Sequence, residues 1–317
     1  MVALQIPDIN TVREARERIS VFVIHTPLVK LDYPGIGGIY LKLENRQPSG
    51  SFKIRCAANA LLSMDPGELK QGIFTASAGN FALGLVYVGR ELGLEITIYA
   101  PDTAAKSKLD KLVNMGARLQ VVPFDQWWAM MENYGSGLEG GHFIHPVADN
   151  NVIAGDATLG LEIAEEMPDV ETILVPFGGG GLVTGIASAA KSLCPTVRVY
   201  GCESEVARPL YAAFEKGEPT QVNYDKSSFI NGIGCKTVLD VMWPLIRKTV
   251  DGAMVTSLSE VEAAIKMLFH QDEIIAEGAG AVSVAIALAA GETLGKTVCV
   301  VSGGNIDQPI LEEILGE

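Results

Sequence analysis

Four loops carry residue types that could do chemistry. In PSGSFKIR, residues 48–55, Lys53 follows Gly50, Ser51 and Phe52 and opens an apolar-periodic stretch. A lysine partly stripped of water at such a point can attack a carbonyl carbon, although alone it reads first as an ordinary solvated helix lysine. Gly50 stands three places before it, which excludes a Ser-x-x-Lys hydrolase pair. In TASAGNF, residues 75–81, Ser77, Gly79 and Asn80 would place hydroxyl, N–H and amide donors at a helix start. That arrangement suits a carboxylate or phosphate, or serves as a simple N-cap. Gly178–Gly181 follows the apolar run TILVPF and precedes a helical pattern from Leu182. Consecutive glycines cost backbone entropy, so a bare helix N-terminus facing a phosphate is the better reading of that loop. The fourth, Ser302–Asn305, is SGGN after KTVCVV. Its serine could offer a neutral hydroxyl to a heterocyclic nitrogen or form a plain strand-end turn.

A nucleotide reading competes for the glycine run. Glu203, roughly 20 residues further on, stands where an acid would meet a ribose. However, GxGxxG counted from Gly178 ends on Val183, and GxxxxGK[ST] is absent. His25, His142, His145 and His270 show no HExxH or comparable ligand spacing, so capping or buried roles are expected of them.

These loops need elements to hold them. Short β-branched runs at 39–43, 73–75, 96–100, 119–122, 173–175, 197–200 and 297–301 read as strands. Helical patterns fall at 54–64, 81–92, 105–115, 182–193 and 259–269. A first helix is expected over 10–20, with Thr11 and Glu14 spaced as a capping box. The alternation predicts an α/β fold of two open-sheet domains, with parallel strands and helices on both faces. The glycine-rich run 133–141 reads as a surface loop closing three βα units. It suggests a small domain over 72–145 inserted between 1–71 and 146–317.

Composition removes whole classes of function. The 317 residues include 24 basic and 38 acidic side chains, a net charge of −14, so no basic face exists for nucleic acid. The 48% hydrophobic content suffices for a large core. Charges in the first 20 residues argue against an export signal, and no apolar run is long enough to span a membrane. The five widely spaced cysteines suggest no disulfide framework. A cytoplasmic protein is expected.

As an ordered set, HTPL, LENRQPSGSFKIR, SAGN, FIHP, GGGG, EGAG and SGGN resemble the fold-type II pyridoxal-phosphate enzymes, a fold like that of the tryptophan synthase β chain. The threonine/serine dehydratase and serine racemase branch is the nearest match, and the resemblance covers nearly the whole chain. It implies that Lys53 forms the Schiff base with the cofactor aldehyde. Gly178, Gly179, Gly180, Gly181 and Leu182 would hold the phosphate, Asn80 would meet the pyridine hydroxyl, and Ser302 the ring nitrogen. Glu277 and Gly232 would lie beside the ring. The 72–145 unit would carry the substrate loop, with Ser77, Ala78, Gly79 and Asn80 receiving the substrate carboxylate, and the rest of the chain would bind cofactor.

The reaction so implied converts a 3-hydroxy amino acid to a 2-oxo acid and ammonia. A racemase of the same family, a nucleotide-dependent oxidoreductase and a non-catalytic binding module are the alternatives. Departures narrow the choice. Ala78 replaces the second serine of related racemases, and Phe81 stands where the family usually has histidine. Glu203 matches one ligand of a divalent site, but Arg208 and Pro209 stand near the expected aspartate, so no metal is expected. Phe81 with Trp127 and Trp128, the last assigned to the substrate, suggests a pocket for a bulky aromatic β-substituent such as that of phenylserine. The chain ends at Glu317, so the regulatory domain of biosynthetic threonine dehydratases is not expected, whereas the resemblance implies a homodimer.

Overall fold

The computed structural model describes residues 3–136, 141–224, 228–230 and 232–316. Among these, ten strands form two sheets. The strands are β1 (Leu28–Lys30), β2 (Ile39–Leu43), β3 (Ile73–Ala76), β4 (Ile96–Pro101), β5 (Arg118–Val122), β6 (His142–Phe143), β7 (Thr172–Pro176), β8 (Arg198–Ser204), β9 (Gly252–Thr256) and β10 (Thr297–Val301). The larger sheet has the order β1-β2-β10-β7-β8-β9, and the smaller β5-β4-β3-β6. All pairings are parallel except β1 with β2. The larger sheet is therefore mixed, its antiparallel edge strand β1 added to the parallel strands expected. The central strands β7 and β10 are buried at every position, which is why TILVP and TVCVV read as unbroken apolar runs instead of alternating ones.

The helices are α1 (Ile9–Ile19), α2 (Lys53–Leu62), α3 (Pro66–Leu69), α4 (Asn80–Glu91), α5 (Lys106–Asn114), α6 (Phe124–Glu132), α7 (Asn150–Glu166), α8 (Gly181–Leu193), α9 (Pro209–Lys216), α10 (Trp243–Thr249), α11 (Leu258–Asp272), α12 (Gly278–Ala290) and α13 (Gln308–Leu315). The first is capped differently from the expectation. The Asp8 carboxylate accepts from the Asn10 and Thr11 amides, so Thr11 lies inside the first turn and caps nothing. Two helices left no periodic trace: α7 and α12 are buried on nearly every side, so apolar residues ring them without a stripe. Among the described residues no helix is long and apolar enough to cross a membrane. The four inner residues of the 133–141 loop, 137–140, lie outside the described residues.

Close backbone approaches fix α2. A Cβ on Gly84 of α4 would lie 3.0 Å from the Lys53 carbonyl, and one on Gly155 of α7 would lie 2.6 Å from the Arg55 carbonyl. Bare backbone at both glycines lets α4 and α7 pack directly on the first turn of α2. Arg55, fully buried, adds a charged tie. Its Nε and Nη2 donate to Glu44 at 2.7 and 2.8 Å, and its Nη1 and Nη2 to Glu162 of α7 at 2.7 and 2.9 Å.

Candidate active site

Loops following the carboxyl ends of β3, β4, β6, β7 and β10 converge on a cavity of about 540 Å³, the position expected for ligands of open α/β sheets. Lys53, the first residue of α2, lines it. Its Nζ donates to the Pro146 carbonyl at 3.1 Å and stands 4.9 Å and 5.6 Å from the Phe52 and Phe81 ring centroids. Pro146 is held in turn by His145, whose Nδ1 accepts from the Val147 and Ala148 amides at 3.1 and 2.8 Å. Burial, with the Lys53 charge nearby, pushes His145 down to about 4, so at neutral pH it is an uncharged acceptor.

The glycine run faces the same cavity. Gly180 caps α8 in the left-handed region, φ +96°, and its neighbours leave no room for side chains. A Cβ would come 2.5 Å from Val147 at Gly179 and 2.7 Å from Ile246 at Gly180. The first amides of α8 have no intrahelical acceptor and present their N–H groups there.

Ser302 ends the β10 side of the cavity, and its carbonyl accepts from the Phe52 amide at 3.0 Å, tying SGGN to the lysine loop. The Asn80 amide donates to Glu277 Oε1 at 2.6 Å, while its carbonyl accepts from Asn305 at 2.9 Å. Burial pushes Glu277 up, against the opposing pull of Asn80, Lys108 and Lys111.

The cavity thus unites Lys53, Ser77, Ala78, Gly79, Asn80, Phe81, Gly178, Gly179, Gly180, Gly181, Leu182, Gly232, Glu277 and Ser302. Trp128 is the exception and is corrected. Its indole N–H donates to Glu132 one turn along α6 at 2.8 Å, and Trp127 lines the cavity instead. Glu203 is buried in β8, where its two oxygens accept the Leu210 and Tyr211 amides and tie the strand to the start of α9. Among the described residues one trio of metal-ligand type, His25, Glu162 and Glu166, comes together, but Lys42 already bridges its two glutamates. Pro146 and Asn305 were given no role from sequence, although FIHP and SGGN contain them, whereas His145 takes the buried, capping role expected of it.

The donor set suits pyridoxal phosphate. It offers an amine for the aldehyde, a side-chain-free helix N-terminus for the phosphate, and a neutral hydroxyl at the far side for the ring nitrogen. Comparison with known proteins agrees: the profile of the family described as "Pyridoxal-phosphate dependent enzyme" matches residues 19–303. The chain belongs to that family.

Pyridoxal phosphate is therefore the cofactor of this enzyme. The L-threonine ammonia-lyase of Thermotoga maritima is 40% identical over 289 residues, spanning 89% of this chain and 70% of that protein. The catabolic L-threonine dehydratase of Staphylococcus aureus is 35% identical, spanning 95% of this chain and 90% of that protein. Maize serine racemase superposes with a TM-score of 0.87 at 28% identity, covering 98% and 97% of the two chains. The architecture is that of the fold-type II enzymes, as expected from sequence. The cofactor also removes the nucleotide-dependent reading of the glycine run.

Proposed function

We propose that the enzyme dehydrates a 3-hydroxy amino acid, releasing a 2-oxo acid and ammonia. The observation that carries this is the convergence of the Lys53 amine, the glycine run and the Ser77–Asn80 loop on one cavity. The kinship with threonine ammonia-lyases supports it. Pyridoxal phosphate, when bound, supplies an aldehyde for amines and a ring that withdraws electrons.

The chain supplies the rest. The Gly178–Leu182 amides hold the phosphate and Asn80 orients the pyridine hydroxyl. Glu277 and Gly232 border the ring, and the Ser302 hydroxyl meets its nitrogen. The Ser77–Asn80 loop takes the substrate carboxylate, with residues 72–145 as the smaller unit that carries it. Lys53 removes the proton from the substrate α-carbon. Loss of the β-hydroxyl leaves an enamine, and its hydrolysis to the 2-oxo acid and ammonia restores the water lost. Ala78 offers no proton to the opposite face of the α-carbon, which favours elimination over racemisation. The same resemblance favours a homodimer, checked by light scattering.

The glycine run gives a direct check. In Gly180→Ala the left-handed conformation costs about 1–2 kcal/mol and the methyl group meets Ile246. Cofactor affinity in an absorbance titration should fall about tenfold or more; unchanged affinity would place the phosphate elsewhere.

Phe52, Phe81 and Trp127 line the cavity and favour a bulky apolar β-substituent. Trp127→Ala should lower kcat/KM for phenylserine about tenfold or more, the worth of one well-packed aromatic contact, and Trp128→Ala should change it little. A panel of serine, threonine and phenylserine with 2-oxo acid detection tests both levels. Release from none of them refutes the dehydratase, and threonine far ahead of phenylserine refutes the aromatic pocket.

A further inference from the structure

Asp156 lies on α7 with no exposed surface, and both its carboxylate oxygens are buried without a hydrogen-bond partner. It is packed under the glycine run: a Cβ on Gly181 would lie 3.1 Å from Asp156 Oδ2. We propose that Asp156 is an acid built beneath the phosphate site, which takes up a proton from solvent when phosphate binds there and so links cofactor affinity to pH. The inference rests on the reading that Gly178–Leu182 hold the phosphate.

The surroundings of Asp156 are specific. From α2 come Lys53, Arg55 and Cys56, and from the turn before it Glu44. Arg55 is already saturated by Glu44 and Glu162, and the Cys56 thiol, whose nearest geometric acceptor is the Lys53 carbonyl, lies beside Asp156 and favours its ionised form weakly. The segment after β6 brings the Val147 carbonyl, 3.5 Å from the same Gly181 Cβ position, with neutral His145 beyond it. From α8 comes Gly181, and the one charge of that helix, Lys191, bonds the Thr249 carbonyl and Asp251. From α1 the buried residues are apolar Val12, Ala15 and Ile19; Arg13, Glu14 and Glu17 are exposed, and the half-buried Arg16 and Arg18 are engaged by Glu165 and Asn59. Among the described residues Lys53 therefore pulls most strongly on Asp156, with the already paired Arg55 behind it.

Burial pushes the Asp156 carboxyl up to about 6, with the Lys53 charge pulling the other way. In the free chain the group is therefore mostly ionised at neutral pH and mostly neutral in mild acid. A phosphate on the α8 amides sets a second anion over Gly181, and like charges raise the proton affinity of the carboxyl further. Binding above about pH 6 must then recruit a proton, and binding in mild acid finds it in place.

The full chain freed of cofactor is titrated with pyridoxamine 5′-phosphate, which carries the phosphate but no aldehyde for Lys53. Kd is measured from about pH 5 to about pH 8 for wild type and Asp156→Asn. Ionisation of the ligand phosphate is common to both proteins and cancels in the ratio of their Kd values. That ratio, wild type over variant, should be near one at the acid end and rise to about tenfold at the alkaline end, one pKa unit of coupling. Asp156→Ser, a smaller neutral replacement, should give the same rise should the asparagine variant misfold. A ratio independent of pH overturns the proposal. Wild-type affinity retained by Gly180→Ala would place the ligand away from the glycine run and overturn the phosphate site as well.

Discussion

Replacing Lys53 with alanine is expected to lower 2-oxo acid release at least about a thousandfold, within the range that a positioned proton-transfer group contributes. The variant should stay folded. The Lys53 side chain makes one described hydrogen bond, to the Pro146 carbonyl, and α2 is held by its backbone against Gly84 and Gly155. Circular dichroism and the melting temperature should therefore be close to wild type. Borohydride should fix the cofactor to the peptide containing Lys53 in wild type and to no peptide in the variant. Lys108 also lines the cavity, so labelling there, or full turnover without Lys53, would transfer the role to another amine.

Arg55→Ala should produce the largest loss of stability of any single change near the site, about 3–5 kcal/mol by urea denaturation. Arg55 has no exposed surface and supplies four donor contacts to Glu44 and Glu162. Alanine removes the cation and leaves the fully buried Glu44 facing nothing that matches its charge. Lys42 still reaches Glu162, so Glu44 suffers more. A loss below about 1 kcal/mol would show that water or a proton replaces the guanidinium readily. The pH dependence has a definite sign. Burial alone would raise Glu162, but Arg55 and Lys42 more than reverse it and hold the group below its ordinary 4.5. A depressed carboxylate contributes stability above its unfolded value and loses it as pH falls through the folded one. Wild type should therefore lose this contribution only as pH falls below the ordinary carboxylate value, whereas Arg55→Ala, left with Lys42 and His25 beside Glu162, should show a smaller contribution already near neutrality. Since Arg55 sits two places after Lys53 on α2, loosening of the network should also lower turnover.

Much of the site was legible before any coordinates. Small residues before Lys53, four glycines ahead of a helix and a serine after an apolar strand are local patterns. Their chemistry depends on backbone freedom and helix ends, which neighbouring residues specify. The α/β class was legible for the same reason, because strand and helix periods are written within single segments. Charge was legible as well: a net −14 is compatible with an anionic cofactor when backbone amides do the holding.

What neighbouring residues do not specify is which distant groups meet. Trp127 and Trp128 are adjacent and chemically identical, and the helix turn alone sends one to the cavity and the other to Glu132. The first helix starts at Asp8 because an aspartate in extended backbone reaches two amides, an outcome the Thr11–Glu14 spacing concealed. Glu203 stands out by its spacing from the glycine run, but only the fold shows its two oxygens tying β8 to α9. Asp156 carried no sequence signal, because an acid in a helix reads as solvated surface until α2 and α8 close over it. Local order and the residue types of the site were therefore set by the sequence alone. Burial, pairing and protonation were decided only when segments far apart in the chain packed together, since each depends on which groups exclude water from which others.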